Sequence, residues 1–423
     1  MSQHDRRVVV TGIGVVAPGM PGRKNFWNLI AGGRTATRRM TLVDPAPFRS
    51  QVAAEVDFDP QMCGLSPAET QRMDRVGQFA LVAAREALVD SGLEFDRTDP
   101  CHTAVVVGTA VGSTPGLESE YVRMSERGTL WEVAEHAASP NYYSYYIPSS
   151  IAVELAREVD ARGPVSVVSS GCTSGLDSVA HAVDLVREGT VERAVCGASD
   201  APISPITIAC FDAIKATTPR VENPERASRP FDLSRNGFVL GEGAAMFVIE
   251  ELSAAVRRGV PIYGEISGFA GRCNAYHMTG LRPDGAEMAD AITAALRRAR
   301  LAPTEIGYIN AHGSGTKQND RHETAAFKRA LGEHAYRTPI SSIKSMVGHS
   351  LGAIGSIEIA ACLLTLTNEL LPPTANWTER DPQCDLDYIP GEARPAALDH
   401  VLTVGSGFGG FQSAMVISRV DAR

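Results

Sequence analysis

Residues 165–186 read VSVVSSGCTSGLDSVAHAVDLV. Three valines among the first four residues favour a β-strand. The Ser-Ser-Gly sequence that follows is typical of a tight turn, and from Leu176 onward the apolar residues recur at helical spacing. The stretch therefore predicts a strand, a turn and a helix in succession, which is the building unit of an α/β protein.

The rest of the chain follows the same alternation of short apolar runs and helix-length segments. We predict helices over Ala68–Ser91, Leu176–Glu188, Gly285–Arg300 and Ser350–Glu369. The predicted strands are Arg7–Thr11, Thr103–Gly108, Val165–Val168, Ala194–Gly197, Ala244–Glu250, Ile262–Phe269, Ile306–Ala311, His400–Val404 and Ala414–Arg419. Such alternation indicates a mostly parallel sheet covered by helices.

The second half of the chain loosely repeats the first. RRVVVTGIGVVA near the N-terminus is echoed by PIYGEISGFAGR, and GCTSGLDSV can be laid on GHSLGAIGS with Cys172 opposite His349. The echoes predict a duplicated α/β unit of roughly 200 residues, dividing the chain into residues 1–255 and 256–423. Chance similarity between two glycine-rich helix starts is the alternative.

Composition argues against several classes of protein. The chain has 423 residues, of which 44% are hydrophobic and 21% charged, as is typical of globular proteins. Its net charge of −9 argues against a nucleic-acid binder, which needs a basic face. We expect no membrane span and no secretory signal. Eight cysteines without a CxxC pair favour reduced thiols, mostly in the core of a cytoplasmic protein.

Two patterns suggest cofactor sites but lack the context that such sites need. Gly12–Ala17 fits G-x-G-x-x-A, yet Pro18 and Pro21 interrupt the helix that a dinucleotide site requires, and no acid lies in residues 30–40. The ten histidines are scattered and form no HExxH motif. We therefore expect neither a nicotinamide cofactor nor a metal.

Cys172 is a candidate nucleophile. It lies where the predicted helix begins, and the unpaired N–H groups there favour a thiolate. A thiolate is a far better nucleophile than a thiol. A buried structural cysteine is the alternative.

Two histidines strengthen the case for catalysis. His312 follows the predicted strand Ile306–Ala311, and the carboxyl ends of such strands are where α/β proteins place their sites. His349 lies at a helix start, where an imidazolium is disfavoured, so we expect it to stay neutral at pH 7 and to donate a hydrogen bond. Both are flanked by glycine.

Together the motifs SSGCTSGLDS, NAHGSGTKQNDRHET, SSIKSMVGHSLGAIGSIE and VGSGFGGFQSAM resemble the β-ketoacyl synthases of the thiolase-like superfamily. The resemblance covers nearly the whole chain. GCTSGLDS and HGSGTKQNDRHETAAFK are most similar to the ketosynthase-alpha subunits of bacterial type II aromatic polyketide synthases. One departure is Ser314, where the family usually has threonine. The resemblance implies a duplicated, five-layer αβαβα fold with a pseudo-twofold axis.

The resemblance also implies a mechanism. Cys172 would take a polyketide chain from the phosphopantetheine thiol of an acyl carrier protein. The backbone N–H groups of Cys172 and Phe408 would form an oxyanion hole, and Phe408 would gate the site. His312 and His349 would assist the decarboxylation of malonyl groups, giving the enolate that attacks the Cys172 thioester.

Further residues match supporting positions of the family. Lys344 and Glu323 resemble a buried charged pair that organises the histidines, with a purely structural ion pair as the alternative. Ser314 and Thr316 match positions that hydrogen-bond pantetheine. No cofactor is expected on this chain itself, because phosphopantetheine arrives on the carrier protein.

Two partners are implied. One is the chain-length factor, a paralogue without the nucleophilic cysteine, in a heterodimer with a shared acyl tunnel. The other is the acidic acyl carrier protein, for which the resemblance indicates docking at Arg72 and Arg220.

Three other functions stay open. A homodimeric fatty-acid elongating synthase would use the same chemistry. A non-catalytic scaffold subunit is disfavoured by the intact Cys172, His312, His349 and Lys344. A thiolase, or a carrier-free synthase acting on coenzyme A esters, is the third; a thiolase would typically use a second cysteine in place of the paired histidines.

Overall fold

A computed structural model describes residues 6–94, 99–130 and 134–420. The helices are α1 (Arg23–Ala31), α2 (Pro67–Arg72), α3 (Arg75–Ser91), α4 (Thr114–Met124), α5 (Tyr142–Tyr146), α6 (Ser150–Glu158), α7 (Ser174–Arg187), α8 (Pro205–Ala213), α9 (Leu252–Arg258), α10 (Ala286–Ala299), α11 (Lys317–Leu331), α12 (Lys344–Val347) and α13 (Ile354–Asn368). The strands are β1 (Val8–Val16), β2 (Thr37–Arg39), β3 (Val52–Ala54), β4 (Thr103–Gly108), β5 (Val165–Val168), β6 (Arg193–Asp200), β7 (Leu240–Gly241), β8 (Gly243–Glu251), β9 (Gly264–Cys273), β10 (Tyr308–Asn310), β11 (Ile340–Ser341), β12 (Leu370–Leu371), β13 (Arg394–Pro395), β14 (His400–Gly407) and β15 (Phe411–Ser418).

The sheet consists of two equivalent halves. Its strand order is β11-β10-β14-β15-β9-β1-β8-β6-β4-β5, and each half of five has the same order and the same strand directions. Only a short antiparallel pairing of β1 with β9 connects them in the ladder. The repeat noticed in the sequence is therefore a structural duplication. The division predicted at residue 255 falls inside α9 and stays a prediction.

The prediction of a mostly parallel sheet was wrong, because the sheet is mixed. β4, β5 and β6 run parallel, as do β10, β11 and β14. The strands where the halves meet are antiparallel, and β14 and β15 form a hairpin closed by residues 408–410. The three-residue turn between β14 and β15 suits antiparallel neighbours, because parallel neighbours need a much longer crossover connection.

The two halves enclose a middle layer of helices. α7 and α13 pack against each other and against strands of both halves, while α3 and α10 pack on the outer strand faces. The two middle helices approach closely at Gly175, where an added Cβ would lie 2.4 Å from the Ser356 nitrogen. The chain thus has the five-layer αβαβα architecture expected of a thiolase-like protein.

The alignment of Cys172 with His349 was wrong by about one helical turn. Each middle helix is preceded by a short 3₁₀ turn, Gly171–Thr173 before α7 and Leu351–Ala353 before α13. Superposing these turns puts Cys172 opposite Gly352. The two helices are equivalent, but His349 lies in the segment before its turn.

The glycines of Gly12–Ala17 serve helix packing. Both glycines lie within β1, and a Cβ at Gly12 or Gly14 would come within about 2 Å of carbonyl oxygens of α3. Small residues are therefore needed for α3 to pack on the strand.

Most predicted elements are present with shifted ends. The predicted helix Ala68–Ser91 is two helices, because Asp74 caps a new start at Arg75.

The segment Leu351–Asn368 is long and apolar enough to span a membrane, yet 89% of it is buried inside the protein, where α13 forms the core. All eight cysteines are unpaired, but the expectation that most lie in the core was wrong, since only Cys196, Cys362 and Cys384 are buried.

Candidate active site

A cleft of about 420 Å³ brings together the predicted nucleophile and both predicted histidines. Cys172, His312, His349 and Phe408 all line it. They come from the turn before α7, the end of β10, the segment before α13 and the β14–β15 turn. Both halves of the duplicated fold therefore contribute to one site.

The turn that carries the predicted nucleophile Cys172 (the nucleophile turn, Gly171–Thr173) fits closely against β14. Gly171 has a left-handed φ of 61°, which allows the sharp turn into α7. A Cβ at Gly407 would lie 3.3 Å from the Cys172 nitrogen. The Phe408 backbone N–H donates to the Cys172 sulfur, so the β14–β15 turn and the turn before α7 meet at that sulfur.

The expected thiolate is not favoured by the surroundings of Cys172. Cys172 as a whole is only partly buried, but desolvation of its sulfur raises the pKa of the thiol to about 12, although the Lys344 charge and the Phe408 N–H act to lower it. Desolvation thus outweighs the helix start, and the resting thiol is protonated at neutral pH.

The two histidines are neutral, as expected for His349. Their ring centroids lie 5.2 Å apart at an interplanar angle of 83°. Burial lowers the pKa of each imidazole well below its usual value, and the Lys344 charge lowers both further. Neutral imidazoles can each donate one N–H and accept one proton.

The buried ion pair has a different partner from the one predicted. Lys344 pairs with Glu358 on α13, not with Glu323, and both partners are buried. Glu323 instead accepts the backbone N–H groups of His312, at 2.5 Å, and Gly313, at 2.8 Å. Sequence reasoning missed Glu358, because nothing in the apolar pattern of its helix distinguishes a charge aimed inward.

Lys344 is the positive centre of the site. Burial raises the pKa of Glu323 to about 8 and that of Glu358 to about 7, while the Lys344 charge opposes both shifts. The Lys344 charge also acts on Cys172 and the two histidines, so it influences the pKa of all five groups.

Ser314 and Thr316 lie together on the wall of the cleft. Their hydroxyl oxygens are 3.1 Å apart, and Thr316 also caps α11 by accepting the Asn319 N–H. A Cβ at Gly313 would lie 2.4 Å from the Ser342 side chain, so the turn needs glycine. The serine that departs from the family pattern keeps its hydroxyl in the cleft.

The two predicted docking arginines are both engaged within the protein. Arg72 forms a bidentate pair with Glu154 at 2.8 and 3.0 Å and does not line the cleft. Arg220 is half-buried and donates to the Ser234 carbonyl at 3.1 Å. Their charges are therefore less available than their sequence positions indicated.

Sequence reasoning missed two lysines at the mouth of the cleft. Lys215 and Lys317 are exposed and line its rim. Within the described part of the chain, no carboxylate lies within ion-pairing distance of either. Their closeness arises from tertiary folding, since Lys215 follows α8 and Lys317 opens α11.

The site has no metal-binding arrangement in the part of the chain that the structure describes, where no group of three or more His, Cys, Asp or Glu side chains could hold an ion. Its chemistry is that of a thiol, two imidazoles and backbone N–H donors.

Family comparisons match both halves of the chain. Residues 5–255 match "Beta-ketoacyl synthase, N-terminal domain" and residues 263–378 match "Beta-ketoacyl synthase, C-terminal domain". The chain belongs to the β-ketoacyl synthase family, whose members are acyltransferases that form carbon–carbon bonds.

Curated relatives narrow this class. The tetracenomycin polyketide synthase ketoacyl synthase alpha subunit of Streptomyces glaucescens is 60% identical over 99% of both chains. A 3-oxoacyl-[acyl-carrier-protein] synthase 2 of Coxiella burnetii is 38% identical over 98% of this chain and 99% of its own. Among β-ketoacyl synthases, this chain is a ketosynthase-alpha subunit of the type II polyketide class, and the fatty-acid enzyme is more distant.

Solved structures agree with this placement. A type II polyketide synthase ketosynthase, in complex with its acyl-carrier protein and bound to the hexaketide, superposes with a TM-score of 0.92 at 37% identity, covering 98% of this chain and 100% of that one. The ishigamide ketosynthase/chain length factor gives 0.90 at 32% identity, with the same coverage.

Proposed function

We propose that this chain carries out decarboxylative Claisen condensation of malonyl groups onto a polyketide chain held on Cys172, with His312 and His349 as its other catalytic residues. The observation that carries this proposal is the single cleft in which the thiol, two neutral imidazoles and the Phe408 N–H meet. Neutral imidazoles suit an enolate-forming reaction, because their N–H groups can stabilise negative charge that develops on oxygen.

The first step loads the enzyme. The Cys172 sulfur attacks the thioester carbonyl of the acyl carrier protein, a new C–S bond forms, and the pantetheine thiol leaves. The Cys172 proton passes to the leaving sulfur. Since the thiol is protonated at rest, a neutral histidine in the cleft is the group available to carry that proton.

The second step forms the carbon–carbon bond. The malonyl group on the carrier loses CO₂, and the electron pair of the broken bond becomes an enolate held by the imidazole N–H groups. The enolate carbon attacks the Cys172 thioester, and the Cys172 and Phe408 N–H groups bind the tetrahedral oxyanion. The C–S bond then breaks, and the Cys172 sulfur leaves as a thiolate that takes up a proton from water. The β-ketoacyl product remains on the carrier, and the Cys172 thiol is regenerated.

Lys344, Glu358 and Glu323 act as positioning residues. Burial keeps both histidines neutral by lowering their pKa values, the Lys344 charge lowers these pKa values further, and Glu358 compensates that charge. Glu323 holds the backbone that carries His312. Ser314 and Thr316 supply hydroxyls for the pantetheine arm along the cleft wall.

Two partners belong to this proposal. The structural relatives include a ketosynthase with its carrier protein and a ketosynthase with its chain length factor. This chain forms a heterodimer with a chain-length-factor paralogue and receives chains from an acidic carrier protein. Lys215 and Lys317 at the cleft mouth are better placed for that carrier than Arg72, whose charge Glu154 neutralises.

Reconstitution tests this function. The chain would be co-expressed with its chain-length-factor paralogue and given malonyl-loaded carrier protein, and carrier-bound products would be followed by mass spectrometry. Chains that grow by two carbons with release of CO₂ support the proposal. A fully active homodimer that elongates saturated acyl chains would instead support the fatty-acid function.

A further inference from the structure

Asp177 lies one turn into α7 and connects the nucleophile turn to the strand that follows Phe408. Its Oδ2 accepts the hydroxyls of Ser170 and Thr173, the latter at 2.8 Å. Its Oδ1 accepts the Ser413 hydroxyl of β15 at 2.6 Å. One half-buried carboxylate thus receives hydroxyls from both sides of the site.

The groups that Asp177 holds flank the reacting position. Ser170 precedes the 3₁₀ turn and Thr173 ends it, so the two residues bracket Cys172, and both are buried. Ser413 pairs with Gly405 in the hairpin whose turn carries Phe408. The carboxylate therefore ties the segment of one N–H donor, Cys172, to the segment of the other, Phe408.

Glycines make this connection necessary. Gly405 and Gly407 let β14 lie directly on the nucleophile turn, because an added Cβ at Gly405 would come 3.2 Å from the Thr173 side chain. Because Gly405 and Gly407 carry no side chains, they contribute no side-chain hydrogen bond that would hold the hairpin along the turn. The hydrogen bonds of Asp177 provide that restraint.

We infer that Asp177 is a positioning residue that sets the spacing of the Cys172 and Phe408 N–H groups for acyl transfer. This inference rests on the proposed function, in which those two groups bind the oxyanion. The carboxylate accepts all three hydroxyls on its two oxygens. An amide has only one accepting oxygen, so on one side the amide nitrogen would have to donate to a hydroxyl, and the charge-assisted bond there would be lost. Asp177→Asn therefore weakens one side of the connection.

The effect should be specific to the step that needs the oxyanion site. Displacing donors by a fraction of an ångström to about 1 Å costs on the order of 10- to 100-fold in rate. Acylation of Cys172 by an acyl-loaded carrier protein should fall by that factor in Asp177→Asn. Alkylation of Cys172 by iodoacetamide passes through no oxyanion and should stay within about twofold, as should decarboxylation of malonyl-carrier, which depends on the histidines.

The experiment measures these three rates in the heterodimer with the chain-length-factor paralogue. Ser413→Ala removes only the β15 side of the connection and should reproduce the acylation defect in milder form. Ser418→Ala, the same change at the far end of β15, is the matched control, since its hydroxyl contacts Ser267 and His400 instead. The control should acylate at the wild-type rate.

The outcomes separate two failures. The positioning role is refuted if the wild-type complex acylates Cys172 and the Asp177 and Ser413 variants do so at the wild-type rate. It is also refuted if these variants lose acylation, alkylation and decarboxylation together. If the wild-type complex itself forms no acyl-Cys172, the proposed function fails instead. Loss of acylation alone, in both variants and not in Ser418→Ala, supports the inference.

Discussion

At the scale of single residues, the surroundings of Cys172 oppose its ionisation. The turn that opens α7 supplies N–H groups, but the sulfur is enclosed by the cleft walls, and desolvation dominates. In the proposed reaction the thiolate therefore forms only during acyl transfer, next to neutral histidines that can take the proton.

The pH dependence of Cys172 alkylation tests this description. Below a thiol's pKa the thiolate fraction rises tenfold per pH unit, so with a pKa of about 12 the rate should climb from about pH 7 to about pH 9 without levelling off. Peptide-resolved mass spectrometry is needed, because Cys101, Cys210 and Cys273 are exposed and also react. A plateau below about pH 8 would show that the N–H groups of the helix start lower the pKa of the Cys172 thiol more than desolvation raises it.

Substitution of either histidine should slow malonyl decarboxylation more than acylation of Cys172. His312→Ala or His349→Ala should lower malonyl decarboxylation by about 10²-fold or more, since the enolate loses a donor. Acylation of Cys172 should fall less, because the Cys172 and Phe408 N–H groups remain. Variants that decarboxylate normally but fail to acylate would reverse the assigned roles.

At the scale of elements, the sequence predicted those strands, turns and helices that depend on residues close together in the chain. Strand–turn–helix units, the helix after Cys172 and the strand before His312 follow from apolar spacing and turn residues. The antiparallel junction of the halves and the Lys344–Glu358 pair did not follow, because they depend on which distant segments meet. Strand pairing and inward-facing charges are properties of the assembled layers.

The glycines of β1 offer a test at this scale. A Cβ at Gly14 would lie 1.8 Å from the Ala83 carbonyl oxygen, so Gly14→Ala must push α3 off the sheet. We expect a loss of about 3 kcal/mol or more in the free energy of unfolding, above the usual cost of overpacking. The measurement is urea denaturation of Gly14→Ala beside a control variant.

The control is Gly271→Ala in the equivalent strand β9, because its Cβ would meet nothing closer than 3.9 Å. Equal stability of the two variants would contradict the packing role.

At the scale of the whole molecule, a net charge of −9 opposes an acidic carrier, so recognition depends on local cations. The resemblance indicated Arg72 and Arg220, and folding adds Lys215 and Lys317 at the cleft mouth. Rim charges of this kind act mainly on the rate of association and are screened by salt.

Charge reversal at the mouth tests the docking surface. Lys215→Glu with Lys317→Glu should lower carrier-dependent kcat/KM by about tenfold at low salt, and the defect should shrink as ionic strength rises. Arg72→Glu should have a smaller effect on docking, because Glu154 already neutralises Arg72. Reactivity of Cys172 toward iodoacetamide should not change in either protein. A larger defect from Arg72→Glu than from the lysine pair would show that the carrier protein docks at Arg72, as the resemblance indicated, and not at the lysines.

The central claim is that Cys172 carries the growing chain during decarboxylative condensation. The most direct measurement is peptide mass spectrometry of the heterodimer after brief incubation with acyl-loaded carrier protein, followed by a chase with malonyl-loaded carrier. We predict an acyl adduct on the Cys172 peptide that disappears in the chase as a β-ketoacyl carrier forms, and neither species in Cys172→Ala. Condensation without that adduct, or an adduct on another cysteine that is consumed in the chase, would contradict the account.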